Sequence, residues 1–373
     1  METYRLHSKV VENEKEFVIQ TTNDVHSGTV ASTVYINGDP AETLECPHPA
    51  EITPEEVLSL VKMTHDERKK EIELLLKAYI KVISEGNAEL MHHLGCAFYY
   101  KRFFGEASEL FRAAIMLRPE YHEARNFLGL TQLALGNDQE AIESFQTAVQ
   151  RQPGYADYHN NLGLAYLKTR SCGKAVAEFE RALRINLYYA DAYYNLGRAL
   201  IANAVTREST DLFHDLVSRA TDYFKKAQLI NTDYGGMNFD QGLERLKSSE
   251  FEHSLQLFDA AYEMVKERHR QGFATYYMKF VLYPEWVSEQ VISDRIAFLE
   301  GEIAKNPTYV DLYADLAHCF LEVSRINWKK GIEQYRKTLQ INPSLSHVRA
   351  SLETAEDTLD ELGRALSVIS DKG

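Results

Sequence analysis

Three side chains that can ligate a metal lie within one turn of a predicted helix. They are His92, His93 and Cys96, and the first and last stand four residues apart on one face. Protein zinc sites need three or four such ligands, and the sequence shows no others nearby. His122 and His159 are further candidates, but no spacing ties them to this group. The alternative is a histidine pair on the inner face of a helix, and we predict no metal and no other cofactor.

Residue patterns that support catalysis are sparse. The sequence has neither a glycine-rich phosphate loop nor a Gly-x-Ser-x-Gly nucleophile turn. Its many carboxylates are explained by the surfaces of helices. We therefore predict that the protein is not an enzyme. The alternative is an unrecognised active site in the first 87 residues, although a small sheet offers little pocket volume.

A repeat of 34 residues dominates the rest of the chain and must position any functional side chain. Glycines preceded by leucine recur at this spacing, and alanine and phenylalanine follow in the same register. The repeated positions are Gly95, Gly129, Gly163 and Gly197; Ala107, Ala141 and Ala175; Phe111, Phe145 and Phe179; and Ala114, Ala148 and Ala182. Steps of three and four place each Ala, Phe and Ala on one helix face. This period indicates a helical hairpin copied along the chain, which stacks into a solenoid and offers a binding surface.

At these positions the sequence resembles the tetratricopeptide repeat (TPR) family, and Pro119 and Pro153 end the second helices as in that family. The resemblance implies a mainly α fold, a TPR-type α-solenoid in which helix-turn-helix repeats form a right-handed superhelix. It predicts about six to seven units over 88–345 and a capping helix with a tail over 346–373. The units are 88–121, 122–155, 156–189, 190–234 with an insertion, 235–268, 269–309, which is degenerate, and 310–345, which has extra residues in its hairpin turn. The match is strong to residue 200 and weaker beyond 235.

The first 87 residues contain no copy of the repeat. Residues 1–50 predict a small antiparallel β-meander, because several stretches are rich in strand-forming residues. These stretches are 17–22, 29–36 and 41–46, with 4–11 as a candidate fourth strand. Asn37 and Gly38 predict a tight hairpin, since both tolerate positive φ.

Residues 51–87 predict one long linking and capping helix. Thr53, Pro54 and Glu56 form a helix start signal, and Gly86 is a stop signal.

In the TPR family the first helices of the units line a concave face, at the second, fifth, sixth, ninth and twelfth positions of each unit. Four asparagines share this face, and an amide both donates and accepts hydrogen bonds, so they predict a ladder for an extended peptide backbone. Aromatic residues on the same face would anchor apolar groups. The predicted peptide-binding residues are Tyr99, Asn126, Phe127, Asn160, Asn161, Tyr194, Asn195 and Arg198. The same register turns Leu130, Leu133, Leu164 and Leu167 inward. The alternative is that the asparagines satisfy neighbouring helices.

Acidic residues share the second position of four units, namely Glu89, Glu123, Asp157 and Asp191. They predict a negative stripe that favours partners with basic segments; the alternative is a solvated groove edge. The first three units have no Lys or Arg at the second, fifth or sixth position, so the family's clamp for a C-terminal carboxylate is not expected.

Composition narrows the class of partner. Net charge is −14, from 41 basic and 55 acidic residues, which argues against nucleic acid and anionic membrane surfaces. The sequence has no stretch of about 18 apolar residues and no signal-peptide core. Four widely spaced cysteines fit a reduced, cytoplasmic protein.

We therefore predict a non-catalytic scaffold or adaptor that binds partner peptides or proteins in its groove. The alternative is a regulatory module whose N-terminal β-domain senses a ligand or partner. Homo-oligomers are predicted through the β-module or through a dense aromatic stretch over 273–286, for which core packing is the alternative. That stretch comprises Phe273, Tyr276, Tyr277, Phe280, Tyr283 and Trp286.

Overall fold

The computed structural model describes residues 3–12, 15–24, 27–49, 51–208, 210–212, 214–282, 289–305 and 310–370. Its N-terminal part is a four-stranded antiparallel sheet in the order β1-β2-β3-β4. The strands are β1 (Arg5–Glu12), β2 (Lys15–Asp24), β3 (Thr29–Ile36) and β4 (Asp39–Pro47). Asn37 and Gly38 turn the chain between β3 and β4 with φ of 53° and 90°. The predicted meander and its hairpin are confirmed, and the candidate fourth strand is β1.

Helix α1 (Pro54–Glu85) packs on one face of this sheet. Thr53 and Glu56 form a reciprocal capping box at its start, and Gly86 ends it with φ of 63°. The predicted long helix and its start signal are therefore confirmed. Alternate residues of β2 and β3 are buried beneath the helix, among them Phe17 and Val34, because successive strand residues point to opposite faces.

Four helix hairpins follow over the described part of residues 88–230. They are α2 (Ala88–Tyr100) with α3 (Phe104–Leu117), α4 (His122–Leu135) with α5 (Asp138–Arg151), α6 (Ala156–Lys168) with α7 (Cys172–Ile185), and α8 (Ala190–Thr206) with α9 (Leu216–Ile230). Each second helix also packs on the first helix of the next hairpin, as α3 does on α4. The insertion lengthens α8 to 17 residues and adds a short 3-10 helix, Thr210–Leu212. The predicted helical solenoid is confirmed.

A glycine facing a phenylalanine ring brings the two helices of each hairpin close together. A Cβ atom at Gly163 would lie 2.5 Å from the Phe179 ring, far inside van der Waals contact. The same relation holds for Gly95 with Phe111, Gly129 with Phe145, Gly197 with Phe224 and Gly242 with Phe258. The recurring glycines are therefore required by packing.

The later helices depart from the predicted units. They are α10 (Met237–Lys247), α11 (Phe251–Leu282), α12 (Glu289–Lys305), α13 (Val310–Ile341) and α14 (Ser346–Ser370). Helix α11 runs through the predicted unit boundary at 268–269. Helix α13 runs through the hairpin turn expected near Gly331, so that prediction is wrong.

A single glycine such as Gly331 costs a helix only about 1 kcal/mol and does not by itself interrupt it. In α13, Leu316, Val323 and Ile326 also continue one apolar face that packs with Leu299 of α12.

A contact surface was predicted from the aromatic residues over 273–286. The side chains of these residues lie outside the described part of the structure. The other predicted unit boundaries stay predictions.

Gly163→Ala is expected to lower the free energy of unfolding by about 1–3 kcal/mol, because the new methyl group must displace the Phe179 ring from a packed core. Gly173→Ala in α7 is the matched control, since its Cβ would meet nothing within 4 Å. There alanine should leave stability unchanged or raise it by up to about 1 kcal/mol. Urea unfolding followed by circular dichroism measures both; equal effects would contradict the close helix approach.

Candidate binding groove

The first helices α2, α4, α6 and α8 pack side by side. We call the residues at the second, fifth, sixth, ninth and twelfth positions of these units the inner wall. The amides of this wall bond to one another. Asn161 Nδ2 donates to Asn126 Oδ1 at 3.0 Å, and Asn195 Nδ2 donates to Asn160 Oδ1 at 3.0 Å. Asn126, Asn160 and Asn195 are buried, and Asn161 is half-buried. The structure thus brings the four asparagines together as inter-repeat pairs, which is the alternative stated above; their binding of a peptide stays a prediction.

Helix α11 lies along α8 and forms hydrogen bonds with polar side chains of that part of the wall. The Tyr194 hydroxyl donates to the Phe258 carbonyl at 2.9 Å, and Arg198 Nε donates to Asp259 at 2.7 Å. The Arg198 guanidinium also lies 4.5 Å from the centre of the Tyr262 ring. Burial alone would lower the pKa of Arg198, but the neighbouring Asp259 and Tyr262 raise it. Tyr194 and Arg198 therefore contact the protein's own helix.

The same helix reaches α2 at the other end of the wall. Arg102 donates to Glu267 at 2.7 Å, and Arg270 donates to the Tyr100 carbonyl. Tyr99 lies beside Tyr262 and Lys266, and its burial raises the pKa of the phenol to about 12. Helix α11 thus joins the first and fourth hairpins, which are far apart in sequence.

A buried cluster of charges ties this helix to the sheet and to α1. Glu42 of β4 accepts from Arg68 of α1 and lies 3.5 Å from Lys101 and 3.4 Å from Arg270. Burial would raise the pKa of Glu71, yet Lys101 and Arg68 lower it below its ordinary value. Because each carboxylate faces cations from different elements, the cluster fixes their relative positions.

Phe127 lies with the rings of the first hairpin. Its centroid is 5.7 Å from Phe111, 5.8 Å from Tyr99 and 5.4 Å from His92. It is half-buried, so its main contacts are internal.

The histidines that sequence spacing singled out are directed to different partners. His122 Nδ1 lies 2.8 Å from the Tyr158 hydroxyl, and His159 Nδ1 lies 2.7 Å from Glu178. His92 lies 3.7 Å from Cys96 Sγ and is enclosed by aromatic rings. Burial lowers the pKa of His92 well below its ordinary value. The described residues do not bring these groups together around one point.

The acidic positions differ in environment. Glu89 is exposed, and Glu123 and Asp157 are half-buried. Asp191 is buried, where it accepts from the Tyr234 hydroxyl at 2.6 Å and pairs with Lys266 of α11. The fourth carboxylate thus already holds a basic residue of this chain.

Four leucines of the inner wall keep part of their surface accessible. Leu130 and Leu133 of α4 and Leu164 and Leu167 of α6 are all half-buried. They form the apolar component of the middle of the wall. Their register was visible in the sequence, but it was not among the eight predicted binding residues.

The N-terminal module holds a serine and a histidine at hydrogen-bond distance. Ser8 Oγ lies 2.8 Å from His65 Nε2, and Thr21 Oγ1 lies 3.0 Å from His65 Nδ1. A general base needs a partner that stabilises the protonated ring, normally a carboxylate. Here that partner is a hydroxyl, and burial lowers the pKa of His65. The arrangement therefore suits a structural contact between sheet and α1 better than catalysis.

A cavity of about 530 Å³ lies between α13 and α14. Trp328, Ile332 and Tyr335 line it from one side, and Ser351 and Thr354 from the other. Among the described residues of this lining, Tyr335 is the one with an ionisable side chain, so they supply no acid and base pair of the kind used in hydrolysis.

The residues that sequence reasoning missed are those of α11. Asp259, Tyr262, Lys266 and Arg270 follow at steps of three and four, which places them on one helix face. That spacing was available as a signal, but it does not say which distant helix the face will contact.

The contact of α11 with α8 can be measured by a double-mutant cycle. Arg198→Met and Asp259→Asn should each lower stability, and the double variant should lose less than the sum, with a coupling of about 1 kcal/mol. Urea unfolding of the four proteins gives this value. Additive losses would mean that the two side chains do not interact.

His92 predicts a dependence of stability on pH. Its folded pKa is depressed, so the unfolded chain binds the proton more readily; the stabilisation is present above about pH 6.5 and is lost as pH falls. His92→Leu should therefore lose less stability than the natural protein between about pH 7 and 5. Chemical unfolding at both pH values tests this difference, and identical losses would contradict the burial of a neutral ring.

Comparison with known proteins assigns the repeats. Residues 93–156 and 160–205 match the family model of the tetratricopeptide repeat. The search of curated proteins gives no match. Among the described residues, no helix has the length and apolar character needed to cross a membrane.

Several solved structures are similar at low TM-score. The crystal structure of MamA is 25% identical over 44% of this chain and 92% of that chain, with a TM-score of 0.36. YrrB, a TPR protein with an unusual peptide-binding site, is 17% identical over 54% of this chain and 97% of that chain, with a TM-score of 0.36. The pilF protein of Pseudomonas aeruginosa is 16% identical over 57% of this chain and 99% of that chain, with a TM-score of 0.38.

These likenesses add no argument about function. The repeat match, the helix hairpins and the glycine–phenylalanine register agree, so residues 93–156 and 160–205 contain tetratricopeptide repeats, and a four-stranded sheet lies on the N-terminal side of them.

Proposed function

We propose that this protein is a non-catalytic scaffold that holds a partner protein along the inner wall. The observation that carries the proposal is the half-buried apolar surface of Leu130, Leu133, Leu164 and Leu167, which face inward beside amide pairs. Apolar surface flanked by polar groups is the usual composition of a protein-binding site. Tyr99, Phe127 and Asn161 are also half-buried and extend this surface.

The partner is proposed to carry basic segments. Glu89 is exposed and Glu123 and Asp157 are half-buried at equivalent positions of three hairpins. Carboxylates in this arrangement attract cationic segments and orient their approach. A cytoplasmic location and self-association stay predictions.

A second function is favoured by the charge cluster at Glu42. This residue belongs to the sheet and lies 3.4 Å from Arg270 of α11. A ligand or partner that moved β4 would therefore alter the contact of α11 with the wall, which would make the sheet a regulatory module.

The scaffold function is tested by quantitative capture from extract of the source cells. The variant Leu133→Gln with Leu167→Gln should retain at least about fivefold less partner than the natural chain, since two desolvated apolar contacts are lost. The control variant, Leu117→Gln with Leu229→Gln, changes leucines that are 53% and 83% exposed at the ends of second helices. It should retain the partner fully.

Circular dichroism and unfolding establish that both variants are folded. Undiminished capture by a folded Leu133 and Leu167 variant would exclude the inner wall as the binding site.

A further inference from the structure

Helix α11 contacts the inner wall as a bound helix would. Besides α10, with which it forms a further hairpin, α11 contacts α2 and α8 of the first and fourth hairpins, and neither of these is the neighbour contact of a regular repeat. Phe258 is fully buried and packs on Gly242 of α10 and Phe224 of α9, while Tyr262 and Val265 are 5% exposed. From Tyr262 onward the helix therefore buries this face against the wall.

The buried face has a simple chemical order. Phe258 and Tyr262 come first, one turn apart, and Lys266 and Arg270 follow at the same interval. The Tyr262 ring centroid lies 5.8 Å from that of Tyr194, and the Arg198 guanidinium lies 4.5 Å from the centre of the Tyr262 ring. The wall thus contacts this ring with another ring and a cation.

Opposite charges meet along the rest of this face. Lys266 pairs with Asp191, and Arg270 lies 3.4 Å from Glu42. With the signs reversed, Arg102 in the turn after α2 pairs with Glu267, and Arg198 of α8 pairs with Asp259. Charges of both signs fix the direction and register of the bound helix.

We infer that the inner wall recognises an amphipathic helix, with two aromatic residues followed by two basic residues at one-turn intervals, and that α11 is its resident competitor. This rests on the proposed scaffold function and names the class of partner. A partner helix of the same pattern binds by replacing the part of α11 from Tyr262 onward, and its apparent affinity is its intrinsic affinity multiplied by the fraction of molecules in which that part is released.

The test uses the full chain and a labelled synthetic peptide of residues 251–270, with binding followed by fluorescence anisotropy. In the opened variant, Lys266→Glu with Arg270→Glu, the new carboxylates face Asp191 and Glu42 and weaken the resident helix. The peptide should bind this variant at least about tenfold more tightly than the natural chain. Tyr262→Ser removes the ring and leaves the charges unchanged. This variant should also bind the peptide more tightly than the natural chain does.

Two controls separate this effect from general charge or misfolding. Lys225→Glu with Lys247→Glu changes net charge equally at exposed positions of α9 and α10 and should bind the peptide as weakly as the natural chain. A peptide carrying Lys266→Glu and Arg270→Glu should lose binding to the opened variant. Circular dichroism establishes that each chain is folded.

The inference would be overturned if the peptide bound the natural chain, the folded opened variant and the folded Tyr262→Ser variant with equal affinity. It would also be overturned if the peptide carrying Lys266→Glu and Arg270→Glu bound the opened variant as tightly as the unchanged peptide. Either result leaves the capture experiment with Leu133 and Leu167 unaffected, so the scaffold function can fail or stand separately.

Discussion

The contact of a glycine with a phenylalanine ring sets the distance between helices from α2 to α11. An added Cβ atom would lie 2.5–2.7 Å from the ring at Gly95, Gly129, Gly163 and Gly197 and 3.0 Å from it at Gly242, so a larger residue must displace the ring. The last of these contacts, Gly242 with Phe258, belongs to α11 itself. Phe258 also stacks on Phe224 at 3.7 Å and offers its carbonyl to Tyr194. The packing rule that forms the repeats therefore also positions the helix that contacts their inner wall.

Several polar side chains of the inner wall find their hydrogen-bond partners within the protein. Asn126, Asn160, Asn161 and Asn195 pair across neighbouring repeats, and Tyr194 and Arg198 bond to α11. Buried polar groups require such partners, because an unpaired one costs about 1–3 kcal/mol. Any partner that enters must replace these contacts with equivalent ones. The chemistry of α11 is consequently the best guide to what the wall can bind.

Local signals in the sequence predict the local structure well. Thr53 with Glu56 fixes the start of α1, Asn37-Gly38 fixes a hairpin, and the 34-residue register fixes α2 to α9. The prediction fails for α13, because Gly331 alone does not interrupt the helix and its apolar face continues against α12. The return of α11 to α2 could not be predicted, since it depends on pairs such as Arg102 with Glu267 that are 165 residues apart. The role of each asparagine was likewise undecided, because one amide serves equally for a neighbour or a ligand.

Hydrogen exchange of the backbone amides of residues 258–270 in the intact chain tests the central claim most directly. If α11 is held between α2 and α8, these amides should exchange as slowly as those of α4 to α7, because opening them requires loss of the buried face. Exchange at the rate of an exposed helix, while α4 to α7 remain protected, would show that α11 does not occupy the inner wall in solution.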